Sequence, residues 1–449
     1  MPTRLLIALL TSQPAVAYDP APWRADLVQM RRAIDRDYAN LDWLTGERGF
    51  NLDQEFAATA TRIDAATGDD QARAAFDRLV RRMGDGHIDL SWPSSPRAAV
   101  AKVVPSPEPC AAYGFNATMV MRGVADSLPG YHALPGNEPF SAGTVTVGGT
   151  RVGVLRIGLF EPAGYPDLCR AALAKTPHAT ADEVTEIAYT RMTAAMETRL
   201  AQLKAVGAQV LLVDLAGNGG GSEWTEAAAR MVTGRKLHGA RMAVIPNEPW
   251  RASRIALAKQ LREAARTTPP YRDRLLQQAK AIELGARPCS TDCPRLADNG
   301  FPTGVFDDPP ARANLPYPID SIAQFKARRG LWTGPLMVLV DDESWSAAEE
   351  FAATLQDNRA AVIVGTRSGG AGCGHTTGRE AATLDHSGAT LSLPDCVRFR
   401  RDGSNEVRGI VPDVPVAMRQ NDSVAFKAGL LSAALPAAIA ASKLRSTAP

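Results

Sequence analysis

The sequence predicts an α/β protein, a helix-covered sheet preceded by a small helical domain. Three observations carry this. Short uninterrupted apolar runs, Val210 to Val213, Leu336 to Val340 and Ala361 to Val364, read as strands buried on both faces. The first two are followed by helical patterns, Trp224 to Val232 and Ala347 to Leu355, an alternation that builds a covered sheet. Residues 22–83 instead place apolar side chains three and four apart: Leu27, Met30, Ile34, Tyr38 and Leu41, then Ala72, Phe76, Leu79, Val80 and Met83, with Gly68-Asp69-Asp70 between.

In chain order, Met1 to Ala17 reads as an export signal. Arg4 supplies the positive start, Leu5 to Leu10 a short apolar core, and Ala15-Val16-Ala17 a small-x-small cleavage site that would leave Tyr18 first. Residues 18–92 form the helical domain. Residues 93–148, rich in Pro and Gly, read as an irregular linker with short strands. The core runs over 149–418. It opens with a strand pattern, Val152 to Phe160. A long helix follows over Ala181 to Val206, started by the capping box Thr180-x-x-Glu183 and ended by Gly207. Residues 236–332, a charged helix and then a Pro-rich stretch, interrupt the alternation and read as an insertion. Residues 419–449 read as a helical tail.

A length of 449 residues suggests two or three domains. Lys and Arg number 50 against 48 Asp and Glu, with no basic block, which argues against nucleic acid as a partner. The longest apolar stretch, near 424–441, is broken by Lys427 and Pro436, which argues against stable membrane insertion. The six cysteines, Cys110, Cys169, Cys289, Cys293, Cys373 and Cys396, suit disulfides in an exported, periplasmic or secreted chain. Cys289 and Cys293 would close a tight loop and Cys373 and Cys396 would bridge the base of a strand, which leaves Cys110 with Cys169. Fifteen pairings are formally open. A zinc site is the rival for the C-x₃-C pair, but no His lies near it.

Four segments carry candidate chemistry. Ser344-Trp345-Ser346-Ala347-Ala348-Glu349 opens a helix behind a buried strand. There a serine meets free backbone N–H groups and the positive end of the helix dipole; Ser346-x-x-Glu349 is equally a plain capping box. Asp214 to Ser222 is a strand–Gly-loop–helix segment without the Gly-Lys-Ser/Thr ending of a phosphate loop. It reads either as an oxyanion hole or as a plain turn. Asp85-Gly86-His87 follows the helical domain, and His87 is one of six histidines. Glu406-Val407-Arg408-Gly409-Ile410-Val411-Pro412-Asp413 means little alone.

Together, in this order, the four segments resemble the C-terminal-processing (tail-specific) serine peptidase family. The resemblance implies a ClpP/crotonase-like spiral core of ββα units with an N-terminal helical cap. It covers 22–92 and 149–418 and is weak over 93–148 and the insertion. One branch of that family uses a Ser–Lys dyad, but at the Lys position, 25 residues after Ser346, this chain has Ala371. The other, tricorn-core-like branch uses Ser, His and Glu, which here are Ser346, His87 and Glu406. Ser344 is the rival nucleophile, and the family register favours Ser346. By this resemblance Ser346 attacks a peptide carbonyl, His87 shuttles its proton and Glu406 orients the imidazole. The N–H of Gly220, or of Gly219 as near alternative, would hold the oxyanion with that of Ala347.

The expectation is therefore an exported serine endopeptidase acting on peptides or proteins through an acyl-enzyme, without metal or cofactor. Three departures matter. Ala216 stands where the family usually has Arg, there is no room for a full PDZ domain, and the insertion and the Cys373–Cys396 pair lie outside the common core. The alternative is a non-catalytic protein of the same fold that binds an apolar ligand or a peptide.

Overall fold

The computed structural model describes residues 18–93, 109–136, 139–287, 296–298, 325–376 and 381–447. The expected export signal and the Cys289–Cys293 pair lie outside these residues. In chain order the elements are α1 (Pro20–Asp37), α2 (Leu52–Asp64), α3 (Asp69–Met83), β1 (Asp89–Ser91), β2 (His132–Ala133), β3 (Ala142–Val147), β4 (Thr150–Arg156), α4 (Pro166–Leu173), α5 (Ala181–Ala205), β5 (Val210–Asp214), α6 (Trp224–Met231), β6 (Arg241–Val244), α7 (Glu248–Thr267), α8 (Arg272–Gly285), β7 (Ala297–Asp298), β8 (Leu336–Val340), α9 (Ala347–Asp357), β9 (Val362–Gly365), β10 (Ala382–Thr383), β11 (Thr390–Ser392), β12 (Cys396–Phe399), β13 (Val414–Pro415) and α10 (Val424–Thr447).

The main sheet has the order β13-β9-β8-β5-β4-β3-β2, parallel from β13 to β4 and antiparallel from β4 to β2. Its apolar runs are continuous because both faces are covered. Leu211, Val213, Leu336, Val338 and Ile363 pack with α5, α6 and α9. Val210, Leu212, Met337, Leu339 and Val362 pack with Leu431, Leu435, Ala438 and Ile439 of α10. At 25 cal/mol per Å² of apolar surface, each such side chain contributes roughly 1.5–3 kcal/mol.

Three expected boundaries look different in three dimensions. Strands β2 and β3, in the stretch read as an irregular linker with short strands, extend the main sheet beyond β4. The segment read as an insertion starts with β6, which pairs antiparallel with β12 near the candidate site, followed by the helical pair α7 and α8. The tail helix α10 is long and apolar enough to cross a membrane by length and composition, and one of its faces covers the sheet. Sequence periodicity reports single elements; which of them pair is decided by contacts far apart in the chain.

The helical domain is tied to the rest by strand pairing. Trp23, Met30, Ile34, Phe76 and Leu79 share one core with Leu384, Leu391 and Leu393, and β1 pairs with β11. Helix α3 ends at Gly84, whose φ of +64° is the left-handed C-cap that glycine adopts without strain. That turn sends the chain directly into Asp85-Gly86-His87. Disulfides Cys110–Cys169 and Cys373–Cys396 form as the spacing suggested.

Candidate active site

Ser346 sits between β8 and α9 with φ 53° and ψ −115°, a region few non-glycine residues occupy. Such a conformation costs about 1–3 kcal/mol and persists only where neighbours hold it. The neighbours here are specific. The Ser346 N–H donates to the Glu349 carboxylate at 3.0 Å. Its carbonyl accepts from the Glu350 N–H at 3.0 Å and from Arg398 Nη2 at 3.4 Å. The preceding Trp345 donates its N–H to Asn218 O at 2.9 Å. The Trp345 indole lies between two glycines: a Cβ on Gly86 or on Gly369 would approach the ring to 2.5 and 2.4 Å. Gly86 thereby seats the His87 segment against the nucleophile turn.

Ser344, the rival nucleophile, is buried. Its hydroxyl lies 2.8 Å from Leu215 O, and it accepts the Asp341 N–H at 3.0 Å. Ser346, by contrast, is only partly buried and stands as the N-cap of a capping box with Glu349.

His87 is held by both its backbone and its ring. Its N–H donates to Asp85 at 3.0 Å; Tyr38 Oη and Asn40 Nδ2 donate to the same carboxylate, each at 2.9 Å. Burial pushes the Asp85 carboxyl up from its ordinary value, against these donors, which pull it down. The His87 Nδ1 lies 2.9 Å from Ala371 O. A carbonyl only accepts, so Nδ1 carries a proton, which in the neutral imidazole leaves the lone pair on Nε2. Nε2 lies beside Gly374, where a Cβ would come within 2.9 Å.

Glu406 differs from the sequence expectation. It is buried, but it makes no hydrogen bond to His87. Its oxygens accept from Arg398 Nε at 2.8 Å and Nη2 at 2.6 Å. The same guanidinium reaches Gly372 O at 3.2 Å and Glu350 at 3.1 Å. Arg398 is thus the hub that joins the late Glu406 turn, the 371–374 loop and the Ser346 carbonyl. A bidentate buried pair is the geometry an arginine fork favours. Arg398 and the Ala371 carbonyl were missed from sequence. The only signal was an arginine two residues past Cys396 in an otherwise apolar strand.

Glu349 exceeds a capping box. Its two oxygens accept from Ser346 N–H, Gly370 N–H, Ala371 N–H and Ser368 Oγ at 2.6–3.0 Å. Burial, and next the charge of Glu406, push its carboxyl up to about 7, against the Ser368, Ala371 and Gly370 donors. Through Ala371, whose N–H binds Glu349 and whose carbonyl binds His87, the nucleophile turn and the imidazole share one support.

The glycine loop also departs in detail. Gly220 lies against the Ser346 turn: a Cβ there would come 2.7 Å from Ser346 Cβ and 3.1 Å from Ala347 N. Its N–H, however, donates to Asn218 Oδ1 at 2.8 Å. The near alternative, Gly219, has an N–H without a partner among the described residues, as has Ala347 at the first position of α9.

No curated protein matches the chain in sequence. The fold is nevertheless shared with solved structures. Mature CPAF superposes with a TM-score of 0.61 at 14% identity, covering 96% of this chain and 99% of that one. Mature CPAF complexed with lactacystin gives 0.60 at 15% identity, covering 95% and 98%. At these identities the likeness speaks for the fold, an S41-type ClpP/crotonase-like core. The sequence speaks for the family: residues 152–416, more than half of the chain and including the glycine loop, the Ser346 turn and Glu406, match the model of peptidase family S41. With a serine in a strained turn inside that stretch, the chain belongs to peptidase family S41 and is a serine peptidase.

Proposed function

We propose that this protein is an exported endopeptidase in which Ser346 is the nucleophile and His87 the general base. The observation that carries this is the strained Ser346 turn, against whose Trp345 ring Gly86 packs the His87 segment, together with the Ala371 carbonyl on His87 Nδ1. In the reaction, Ser346 Oγ attacks the peptide carbonyl while Nε2 takes its proton. The imidazolium then gives that proton to the leaving amine, and water repeats the cycle on the acyl-enzyme. The positive charge that develops on His87 is met by the Ala371 carbonyl directly. Glu406 acts one step removed, by holding Arg398 and thereby the Gly372 and Ser346 carbonyls. The oxyanion is assigned to the N–H groups of Gly219 and Ala347, since that of Gly220 is engaged by Asn218.

Substrates on this reading are peptides or proteins. Export is supported by the N-terminal Arg4 to Ala17 pattern and by two disulfides, which persist in oxidising compartments. Soluble rather than membrane-spanning placement of α10 is supported by the packing of Leu431, Leu435 and Ile439 on the sheet.

The test is labelling of the mature protein with a fluorophosphonate, beside Ser346→Ala and His87→Ala. Labelling of the wild type that is lost in both variants is the expected result, and Ser346→Ala should lower turnover by about 10⁴–10⁶. Absence of labelling in folded wild type would instead favour the apolar-ligand- or peptide-binding alternative.

A further inference from the structure

Helix α10 lies beyond the stretch matched by the family and carries one residue that local physics disfavours. Lys427 is in its first turn, where the helix dipole repels a cation, and it is 5% exposed. A position that is costly on both counts needs a carboxylate. The one within reach is Asp341, whose Oδ2 lies 3.5 Å from Nζ. Asp341 is itself buried, with Asp214 and Asp342 as acidic neighbours, and burial pushes its carboxyl up. Lys427 is the cation that opposes this.

The other oxygen of Asp341 joins both halves of the candidate site. Oδ1 accepts the Gly217 N–H at 2.8 Å, at the start of the loop that carries Gly219. It also accepts the Glu343 N–H at 3.2 Å, in the turn that leads to Ser346. We propose that Lys427 is a positioning residue: by keeping Asp341 charged and in place, it sets the distance between the glycine loop and the nucleophile turn. Without it, Asp341 takes a proton or turns away from the apolar surroundings, and the Gly217 N–H loses a full-strength acceptor. Gly217, at φ +69°, then no longer has a fixed exit angle, and the Gly219 N–H shifts relative to Ser346 Oγ. The kinetic half of this proposal rests on the peptidase reading; the structural half does not.

The experiment compares four full-length variants with wild type by hydrogen exchange over residues 215–222, by thermal melting, and by kcat and KM. Lys427→Met is expected to speed exchange of that segment and to lower kcat by about 10–100-fold with KM within about threefold, the pattern of misplacement rather than lost binding. Lys427→Gln, which keeps a donor and folds more readily, should show the same pattern with a smaller loss. Lys427→Met combined with Asp341→Asn removes both charges but keeps an acceptor for Gly217, and should restore most of the rate. Leu435→Ala, a packing change on the same helix, should lower the melting temperature but leave kcat and the exchange of 215–222 unchanged.

Unchanged exchange over 215–222 in folded Lys427→Met and Lys427→Gln overturns the proposal, as does Leu435→Ala reproducing their effect. If wild type neither hydrolyses peptides nor takes a fluorophosphonate, the peptidase reading fails, and the exchange measurement still decides the role of Lys427.

Discussion

Replacing Gly220 by alanine tests the site at its narrowest point. The added Cβ would lie 2.7 Å from Ser346 Cβ, 3.0 Å from Trp345 O and 3.1 Å from Ala347 N. None of these atoms is the end of a flexible side chain. Restoring contact at about 3.4 Å requires the loop and the nucleophile turn to part by at least about 0.7 Å. The backbone adds strain, because φ at Gly220 is +111°. A misplacement near 1 Å costs on the order of 10²-fold in rate, so we expect kcat and the rate of fluorophosphonate labelling to fall by roughly 30–100-fold. The matched control is Gly219→Ala. A Cβ there meets nothing within 4 Å, φ is not positive, and the N–H assigned to the oxyanion is kept. That variant should stay within about threefold of wild type. The assay is labelling rate and kcat on folded proteins. Wild-type labelling in Gly220→Ala, or an equal loss in Gly219→Ala, would refute the packing argument.

Three further outcomes follow from the same geometry. Gly374→Ala places a Cβ 2.9 Å from His87 Nε2 at φ +80° and should displace the imidazole, lowering labelling by about 10–100-fold; an unaffected rate would mean that His87 is not the base. Arg398→Met leaves Glu406 buried without its cation and should cost about 3–5 kcal/mol in urea unfolding, with part recovered by adding Glu406→Gln; a double variant no more stable than the single one would argue against the pair. The buried Glu349 carboxyl lies near 7 when folded, above its ordinary 4.5. The stability it contributes is therefore full below about 4.5 and is lost as pH rises through about 7. Glu349→Gln should flatten the fall in melting temperature over that window. Glu350, also pushed by burial up to about 7, would supply a residual slope. An identical slope in wild type and variant would remove Glu349 from this account.

The local elements were legible because each rests on a short-range rule. The capping box at Thr180 and the stop at Gly207 bound α5 as the spacing predicts, since an N-cap hydroxyl and a left-handed glycine act within one turn. The buried strands β5, β8 and β9 announced themselves by uninterrupted apolar runs. Ser346 and His87 were singled out by motif order; Cys373–Cys396 was read from the strand-like segment between them, and Cys110–Cys169 from what that left. The role of Glu406 was not legible. The family resemblance made it a partner for His87, but a carboxylate turns to whichever donor the fold brings nearest. That donor is Arg398, on β12.

What the sequence by itself determined is the inventory: which segments are strands, which are helices, and which side chains are candidates for the chemistry. These follow from periodicities of two and 3.6 and from the chemistry of single residues. What only the tertiary structure decided is who meets whom. The Ala371 carbonyl, which has no side-chain signature at all, holds the His87 tautomer. The Gly220 N–H is spent on Asn218 while that of Gly219 stays open. A lysine from a helix outside the family's stretch reaches Asp341. Each of these is a backbone group or a buried charge whose partner is remote in sequence, and its energy depends on distance and desolvation, quantities that exist only once the chain has folded.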